Sequence, residues 1–554
     1  MVPVRHYRHA AGGLILLLAL GACDREPRGE PSPHITQVVG DATEPVVLQI
    51  GGDTLILGTP VLEFYRARQY RQAWTDYDEI LDRGWALLQA MEGAGADGLD
   101  PARYRFPTAL RLVQQVEEDS IDEDDEPAQM ATVDMVLSEV FGRYANHLAG
   151  GVLEPDQSGL DWRIPKDTVD VQALLTRLSS DEAPGDIVAS LRPTAPEYET
   201  LMEQLERYRG IAANGGWPQV PDELPTDVGA RAPGVAVLRT RLIAEGDAEE
   251  TRLAQAGSTE PDAFDESLKA ALEHFQTRHA LTPDGRIGPS TRKELNTTAE
   301  ERVQQIVLSL DQWRWLPHDL GERYILVNVA GFELDYVKDG RIALSMNVVV
   351  GQEGWETPIF TDTMEHIVVN PYWNIPESIK QDETIPALQQ DPGYLERNNM
   401  EALSGNQVVA PEAIDFSNLD AYSYRQRPGR DNALGAVKFL FPNEHNVYLH
   451  DTPADQYFSE SSRAFSHGCI RLEKPIDLAR MLFADVTQRS PDDLDELRSR
   501  DTEQWVQVTK PLPVYILYFT AWATRDGRMS FYPDVYERDR RLEEQAAERL
   551  TIAT

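Results

Sequence analysis

The hydrophobic pattern of the chain changes from a helical period to a strand period shortly after residue 313. Before that point, apolar residues recur at helical spacing in several stretches, which cover residues 60–76, 79–101, 133–153 and 197–216. Beyond it, the stretch "RYILVNVAGFELDYVKDGRIALSMNVVVG" alternates around Asp339-Gly340, a dipeptide typical of a tight hairpin turn. The chain therefore has to combine helical units with a β-rich unit.

The length of 554 residues exceeds what one hydrophobic core supports, so about three or four domains are expected. We predict a multidomain α+β protein. Its parts are a signal peptide over residues 1–22, a tether over 23–44, a mostly helical scaffold domain over 45–220, a small three-helix domain over 230–297 and a β-rich domain over 298–540.

A polar region interrupts the β-rich domain between residues 376 and 434. It is rich in Asn, Gln and Pro and is long for a plain connection between strands. Such a segment is either a lid over a functional cleft or a disordered insertion. We favour the lid.

The N-terminus has the pattern of an export signal. Arg5 and Arg8 precede an apolar or small run over residues 10–22, which is too short to cross a bilayer. The end of the run, Leu20-Gly21-Ala22-Cys23, resembles the bacterial lipobox, which implies cleavage before Cys23 and lipidation of that cysteine. Asp24 resembles an inner-membrane retention signal. We expect a periplasmic protein held by a lipid on the membrane, with an ordinary secretory signal as the alternative.

The charge of the chain argues against nucleic acid as a partner. There are 52 basic and 92 acidic residues, which give a formal net charge of −40. A surface of this sign repels the phosphate backbone that nucleic-acid-binding proteins have to neutralise.

Cys469 is the only cysteine besides Cys23. If Cys23 carries lipid, Cys469 has no partner for an intramolecular disulfide, although exported proteins usually pair their cysteines. A lone thiol in an oxidising compartment is exposed to oxidation. The presence of Cys469 therefore favours a role for its thiol in catalysis or binding.

The surroundings of this thiol suit nucleophilic catalysis. A thiol with an ordinary pKa is mostly protonated at neutral pH and needs a base. His467 lies two residues before Cys469, and His450 ends the β-prone run "NVYLH". Strand pairing could bring either imidazole to the sulfur, and the spacing alone leaves open which histidine is the base.

The residues next to the thiol suit the binding of an acyl group. Gly468 permits a tight turn, and the backbone N–H groups of Gly468 and Cys469 are candidate oxyanion donors. Arg471 favours a thiolate and could bind a substrate carboxylate. The alternative for Arg471 is an ion pair with Glu473 or Glu365.

The thiol has two alternative roles, that of a metal ligand and that of a buried structural group. His450, His467 and Cys469 could ligate zinc, but no companion ligand motif supports a metal site. Cys469 could also be a buried structural thiol, which would need neither a neighbouring glycine nor two histidines. We therefore expect no metal and no cofactor.

The predicted three-helix domain resembles the small peptidoglycan-binding domain. The matching residues are Phe275, Gln276, Leu281, Asp284, Gly285, Ile287, Gly288, Thr291 and Leu295. Ala280 departs from the pattern, which has Gly before the leucine. The resemblance implies binding to the cell wall, with a simple spacer as the alternative.

The segments "YLHDT" and "SHGCIR" resemble the signature of the YkuD-type L,D-transpeptidase catalytic domain. Flanking stretches such as "VNPYWNIP" and "RAFSHGCIRLEKP" extend the similarity to the large Gram-negative L,D-transpeptidases. Many members have Asn where this chain has Arg471, which fits the large Gram-negative branch.

The resemblance implies roles for individual residues. Cys469 would be the nucleophile and His450 the general base, oriented by a backbone carbonyl near Asp451. His467 and Gly468 would shape the oxyanion site, and Ser466 would form local hydrogen bonds at the substrate. Region 376–434 would be the substrate capsule. The residues at its start are Tyr372, Trp373 and Asn374, for which substrate contact and aromatic packing are the two interpretations.

The resemblance also implies an activity, the formation of 3–3 cross-links between peptidoglycan tetrapeptide stems through a cysteine thioester. It further implies acylation of the same cysteine by carbapenems, and cell-wall synthases as partners. Two alternatives remain open from the sequence. The same thiol could serve an L,D-carboxypeptidase or an enzyme that attaches proteins to peptidoglycan, or the chain could be a non-catalytic wall-binding scaffold.

Overall fold

The computed structural model describes residues 30–50, 52–76, 79–117, 126–153, 162–164, 168–180, 182–247, 260–524 and 527–544. The predicted signal peptide, Cys23 and the first part of the tether lie outside the described residues. The chain divides into two compact units, residues 1–85 with 108–139 and residues 86–107 with 140–554. No helix among the described residues has the length and apolarity that a membrane crossing requires.

The α-helices are α1 Pro33–Val39, α2 Thr59–Ala67, α3 Asp82–Glu92, α4 Phe106–Glu117, α5 Glu126–Gly150, α6 Val171–Leu178, α7 Pro184–Ser190, α8 Pro196–Ala213, α9 Pro233–Glu245, α10 Glu266–Arg278, α11 Pro289–Asn296, α12 Ala299–Trp313, α13 Glu377–Ile379, α14 Ile385–Gln390, α15 Tyr394–Arg397, α16 Pro475–Val486 and α17 Asp493–Arg498. A π-helical turn over Lys380–Thr384 joins α13 to α14.

The strands are β1 Val46–Ile50, β2 Asp53–Leu57, β3 Trp162–Arg163, β4 Arg323–Asn328, β5 Glu333–Lys338, β6 Arg341–Gly351, β7 Ile359–Thr363, β8 His366–Val369, β9 Trp373–Asn374, β10 Met400–Ser404, β11 Gln407–Val409, β12 Ser423–Gln426, β13 Val437–Leu440, β14 Leu449–His450, β15 Ala464–Ser466, β16 Ile470–Leu472, β17 Gln504–Gln507, β18 Pro513–Leu517, β19 Ala521–Ala523 and β20 Met529–Phe531. The predicted α+β fold class, with helices before the β-rich domain, is confirmed.

The structure corrects the predicted tether at its C-terminal end. Residues 33–39 form a helix that is capped by the Ser32 hydroxyl and buries Ile35 and Val39 completely. The sequence analysis did not predict this helix, because seven residues are too few to show the helical period of apolar positions.

A buried carboxylate organises the first unit. Asp134 in α5 is fully buried and accepts hydrogen bonds from the backbone N–H groups of Ala73, Trp74 and Thr75, at 2.7–3.0 Å. The Tyr65 hydroxyl donates to it at 2.6 Å. These donors replace water around the charge, so Asp134 holds the loop after α2 in a fixed conformation.

The predicted scaffold domain over residues 45–220 is not one structural unit. Residues 86–107 and 140–220 belong to the same compact unit as the β-rich domain. Within that unit, the fully buried Asp97 forms a salt bridge with Arg192 at 2.8 Å and accepts from the Tyr198 hydroxyl. Arg314, which follows α12, donates to Tyr198 at 3.1 Å and to the backbone oxygen of Asp97. The helical region and the start of the predicted β-rich domain therefore share one buried polar network.

The three-helix domain consists of α9, α10 and α11 around its own core, and the predicted apolar face of Leu268, Leu272 and Phe275 is fully buried in it. The buried amide of Gln276 explains its place in the motif. Its Nε2 donates to the Arg286 backbone oxygen at 2.8 Å and its Oε1 accepts from the Gly285 N–H at 2.9 Å. One side chain thus fixes the turn between two helices.

A 12-stranded sheet forms the centre of the β-rich domain. Its order is β17-β8-β13-β14-β16-β6-β5-β4-β18-β7-β3, with β15 beside β6. The predicted hairpin is β5–β6, and both turn residues, Asp339 and Gly340, have positive φ angles of 51° and 70°. The last strand of the order, β3, comes from the helical region of the sequence and pairs parallel with β7.

Region 376–434 is folded. Strands β9 to β12 form a separate sheet in the order β11-β10-β12-β9. Its core comprises Leu388, Leu395, Met400, Ala402, Leu419 and Tyr424. Glu401 joins two of its segments through ion pairs with Arg425 and Arg427. Of the two interpretations of this region, the structure excludes a disordered insertion, and we call residues 376–434 the inserted subdomain.

Candidate active site

Two neighbouring strands place four polar side chains on one face of the sheet. Strands β14 and β16 pair in parallel, with Leu449 opposite Ile470 and His450 opposite Arg471. Leu449 and Ile470 are both fully buried in the core. Because side chains alternate along a strand, the residues on either side of this pair point to the opposite face. That face carries Tyr448, His450, Cys469 and Arg471.

The loop that presents Cys469 is closed by Ser466. The Ser466 hydroxyl is buried, donates to the Cys469 carbonyl at 2.6 Å and accepts from the Gly468 N–H at 3.1 Å. Gly468 has φ +105°, a conformation that favours glycine over any residue with a side chain. The segment therefore turns sharply before β16 begins.

These contacts agree with the predicted local hydrogen bonding of Ser466 and bear on the predicted oxyanion donors. The only proton of the Ser466 hydroxyl is used inside the loop, so this residue shapes the site without a donor to offer a substrate. The Gly468 N–H is likewise occupied, whereas the Cys469 N–H makes no hydrogen bond within the described part of the chain. The Cys469 N–H is therefore the better candidate for an oxyanion donor.

The His450 imidazole is held in one tautomer. Its Nδ1 lies 2.5 Å from the backbone oxygen of Asp451, which can only accept, so Nδ1 carries the proton and Nε2 has the free lone pair. Burial, aided by the positive charges of Arg471 and Lys438, lowers the pKa of His450 to about 3. The imidazole is neutral near neutral pH and able to accept a proton.

Cys469 is an unpaired, partly accessible thiol. Burial raises the pKa of Cys469, and hydrogen bonds from Tyr448 together with the charge of Arg471 offset part of this rise. The Sγ–H points to the Asn446 backbone oxygen at 3.7 Å. Near neutral pH the thiol is therefore protonated and the imidazole on the same face is neutral, so a reaction at this sulfur would require a base to take the thiol proton.

Arg471 makes no salt bridge with any described residue, so neither proposed alternative partner neutralises it. Glu473 instead accepts from the Asn347 N–H at 3.1 Å. Burial lowers the pKa of Arg471, and electrostatic interactions with Tyr457 and Cys469 offset part of this change. A guanidinium in this position can compensate negative charge that develops at the sulfur or on a bound carboxylate.

A cavity of about 520 Å³ opens over these residues. Its lining includes His450, Ser466, His467, Gly468, Cys469, Arg471, Tyr448, Trp373 and Trp355. The inserted subdomain contributes Pro376, Ser378, Ile379, Glu383, Ala433 and Leu434. The cavity is therefore bounded both by β14 and β16 and by the inserted subdomain.

Of the three aromatic and amide residues predicted near the substrate, Trp373 alone lines this cavity. Its indole also hydrogen bonds the Tyr448 side chain. The Tyr372 ring lies under the Arg425 guanidinium, 4.2 Å from the ring centroid. Asn374 pairs with Arg425 in the sheet of the inserted subdomain. Tyr372 and Asn374 therefore each have a partner within the inserted subdomain, and their contact with substrate stays a prediction.

His467 faces the inserted subdomain. Its Nε2 lies 3.2 Å from Glu383, and its ring meets the Trp355 ring edge-on at 5.1 Å. The sequence analysis missed Tyr448, Trp355 and Glu383. Tyr448 could have been found, because it lies two residues before His450 in a predicted strand and so shares its face. Trp355 and Glu383 carry no such local signal.

The described residues contain no group of three or more His, Cys, Asp or Glu side chains placed to hold a metal ion. His450 and His467 have separate partners, the Asp451 carbonyl and the Glu383 carboxylate.

Three family models match separate parts of the chain. Residues 322–490 match the L,D-transpeptidase catalytic domain, YkuD. Residues 231–295 match the "Putative peptidoglycan binding domain", and residues 59–205 match the Scaffold domain. The matched catalytic segment contains every residue of the site described above.

A curated relative points the same way. The chain is 34% identical over 257 residues to a protein of Haemophilus influenzae named "Putative L,D-transpeptidase". The match covers 46% of this chain and 50% of that protein, so the similarity spans about half the length of the relative.

Similar solved structures include an L,D-transpeptidase from Mycobacterium smegmatis, at 15% identity and a TM-score of 0.16, covering 35% of this chain and 58% of that one. Another is residues 123–326 of the L,D-transpeptidase from Xylanimonas cellulosilytica, at 14% identity and a TM-score of 0.16, covering 54% of this chain and 98% of that one. Superpositions of this quality carry no detail of the site.

Proposed function

We propose, from the premise that residues 322–490 are an L,D-transpeptidase catalytic domain, that this chain forms 3–3 cross-links in peptidoglycan through a thioester on Cys469. The observation that carries the proposal is the shared face of His450 and Cys469 on paired strands beside a cavity of about 520 Å³. The neutral His450 is the base that a buried, protonated thiol requires.

In the first half of the reaction, Sγ of Cys469 attacks the carbonyl carbon of the third residue of a donor tetrapeptide stem, a diaminopimelate. His450 Nε2 takes the thiol proton, and the Cys469 N–H supports the oxyanion. The bond to the terminal D-alanine then breaks, and His450 returns the proton to the leaving amine. The product is an acyl-enzyme and free D-alanine.

In the second half, the side-chain amine of a diaminopimelate in another stem attacks the thioester carbonyl. His450 accepts a proton from that amine and delivers it to the departing sulfur, which regenerates the thiol. The inserted subdomain borders the cavity and would limit access of water to the thioester, which favours transfer over hydrolysis.

The remaining segments suggest where the reaction takes place. The lipobox-like Leu20–Cys23 supports a lipid anchor and a periplasmic site at the inner membrane. The match of residues 231–295 supports attachment to peptidoglycan. Cell-wall synthases, which produce the strands to be joined, are the expected protein partners.

Intact-mass analysis with purified tetrapeptide muropeptides tests the proposal. Wild-type protein should gain the mass of a tripeptide-stem acyl group and release D-alanine, Cys469→Ala should gain nothing, and His450→Gln should acylate about 10²–10⁴ times more slowly. Tyr422→Phe is the matched control, because the Tyr422 hydroxyl accepts from the Asp415 N–H inside the inserted subdomain and Tyr422 does not line the cavity.

The products separate the alternatives. Cross-linked dimers support transpeptidation, whereas free tripeptide stems alone indicate a carboxypeptidase. A stem joined to a protein indicates protein attachment. If the wild-type protein formed no acyl adduct, the non-catalytic wall-binding scaffold would be the remaining alternative.

A further inference from the structure

A second cavity, of about 430 Å³, adjoins the catalytic cavity. The two share the segment Asn446-Val447-Tyr448 in their linings. The same segment contacts the Cys469 sulfur through the Asn446 backbone oxygen and the Tyr448 side chain. A molecule in the second cavity would therefore rest on the wall that supports the sulfur.

Trp505 on β17 forms a flat apolar platform in this second cavity. It is 54% exposed, the largest exposed fraction among the described Trp and Phe side chains. Burial of an indole normally stabilises a protein, so a tryptophan this exposed beside a cavity indicates a binding surface.

The platform is held in a fixed orientation. The indole Nε1 donates to Glu503 at 2.9 Å, and the His366 ring meets the indole at 75° with centroids 5.4 Å apart. Lys438 Nζ lies 5.8 Å from the indole centroid. A preorganised ring loses little conformational entropy when a ligand stacks on it.

The rest of the lining is mostly apolar and carries two polar side chains that can meet a ligand. Glu365 and His366 supply a carboxylate and an imidazole, whereas the Asn443 amide already donates to the backbone oxygens of Phe441 and Val447. A pyranose ring presents C–H groups on one face and hydroxyls around its edge. An indole with hydrogen-bonding groups beside it matches both properties.

The position also suits the sugar of a wall strand. The proposed reaction takes place at the third residue of a stem, so the sugar that carries the stem lies about 10 Å from the sulfur along an extended peptide. A cavity that shares a wall with the catalytic cavity is where such a sugar would arrive. None of the residues that line it belongs to the inserted subdomain, so this cavity stays open beside the covered thiol.

We propose that the Trp505 cavity is a saccharide subsite that holds the glycan part of the peptidoglycan strand whose stem reacts at Cys469. This inference rests on the proposed function, because it assigns a binding site to the sugar of the proposed substrate. It goes beyond the function in predicting that the sugar is recognised by the catalytic domain itself.

The test compares substrates with and without sugar. Trp505→Ala should raise KM for the disaccharide tetrapeptide roughly five- to tenfold, while KM for the free tetrapeptide stays within about twofold of the wild-type value. Trp505→Phe, which keeps an aromatic platform, should recover part of the loss. Trp85→Ala is the matched control, since Trp85 is also exposed, at 39%, and lies in the helical region.

Saturation-transfer NMR with the stem-free peptidoglycan disaccharide gives a second readout that needs no catalysis. The wild-type protein should show transfer to the sugar, and Trp505→Ala should lose most of it. The subsite would be overturned if Trp505→Ala changed KM for the two substrates by the same factor. Equal saturation transfer in the wild-type protein and in Trp505→Ala would overturn it as well. A wild-type protein that acylates with neither substrate would refute the proposed function, and the NMR comparison would then still decide on the sugar.

Discussion

Nε2 of His467 lies 3.2 Å from Oε1 of Glu383, which joins the loop before Cys469 to the π-helical turn of the inserted subdomain. Both side chains are partly exposed, at 33% and 54%, so the contact is worth at most about 1 kcal/mol. A contact this weak can hold the inserted subdomain over the cavity without locking it there.

Glu383→Ala is expected to raise the share of acyl-enzyme that is lost to water. We expect the ratio of transfer to hydrolysis to fall about two- to fivefold, in line with a contact of at most about 1 kcal/mol. Product analysis at a fixed acceptor concentration measures the ratio. Asp382→Ala, on the same turn and exposed, is the control. An unchanged ratio in Glu383→Ala would show that this contact does not guard the thioester.

The acylation rate is expected to depend little on pH between 5 and 7. His450 acts as a base only when neutral, and its pKa, lowered by burial to about 3, keeps it neutral throughout this range. If the histidine had the ordinary pKa of about 6.5, only about one molecule in 30 would carry it in the neutral form at pH 5. The rate should fall only as the pH approaches about 3.

Single-turnover acylation followed by intact mass measures this profile, with circular dichroism to confirm that the protein stays folded. A rate that rises tenfold with each pH unit would instead indicate a preformed thiolate as the nucleophile.

Tyr448→Phe is expected to slow acylation by about ten- to a hundredfold. The Tyr448 hydroxyl hydrogen bonds the sulfur, and a bond to a group that becomes charged contributes about 1.5–3 kcal/mol. Its loss should raise the pKa of Cys469 further, because burial then acts with less compensation. The pH dependence of alkylation by iodoacetamide reports that shift.

Tyr422→Phe is the control, since the Tyr422 hydroxyl accepts from the Asp415 N–H inside the inserted subdomain. If Tyr448→Phe matched it in both rate and alkylation profile, the hydroxyl would have no part in activating the sulfur.

Ala280→Gly is expected to stabilise the three-helix domain by about 1 kcal/mol. Ala280 has φ +50°, a left-handed conformation that costs an L-residue free energy and that glycine adopts freely. The glycine found in related domains at this position therefore has a conformational reason. Thermal unfolding measures the change. Ala270→Gly, at an exposed position in α10, should destabilise by a similar amount, and a loss of stability in both variants would refute the explanation.

The sequence predicted best where the signal is local. The change of hydrophobic period located the β-rich domain, and the turn residues Asp339 and Gly340 located the β5–β6 hairpin. The peptidoglycan-binding motif predicted three helices because its buried residues, Gln276 among them, act within one short segment.

The site was only partly predictable because its geometry depends on pairing between distant strands. The register of β14 on β16 decides that His450 and Cys469 lie on the same face of the sheet, and no spacing in the sequence encodes that register. The same holds for Glu383, whose contact with His467 depends on how the inserted subdomain folds. The raised pKa of Cys469 also follows from burial, which a sequence does not reveal.

Strand β3 limits how the protein can be shortened for experiments. Trp162 and Arg163 pair with Ile359 and Phe360, so a fragment that starts at the boundary of the catalytic family match would leave β7 with a bare edge. Bare edges recruit strands from other molecules, and such a fragment is expected to aggregate. Low activity of a truncated protein would then report on its solubility and say little about its chemistry.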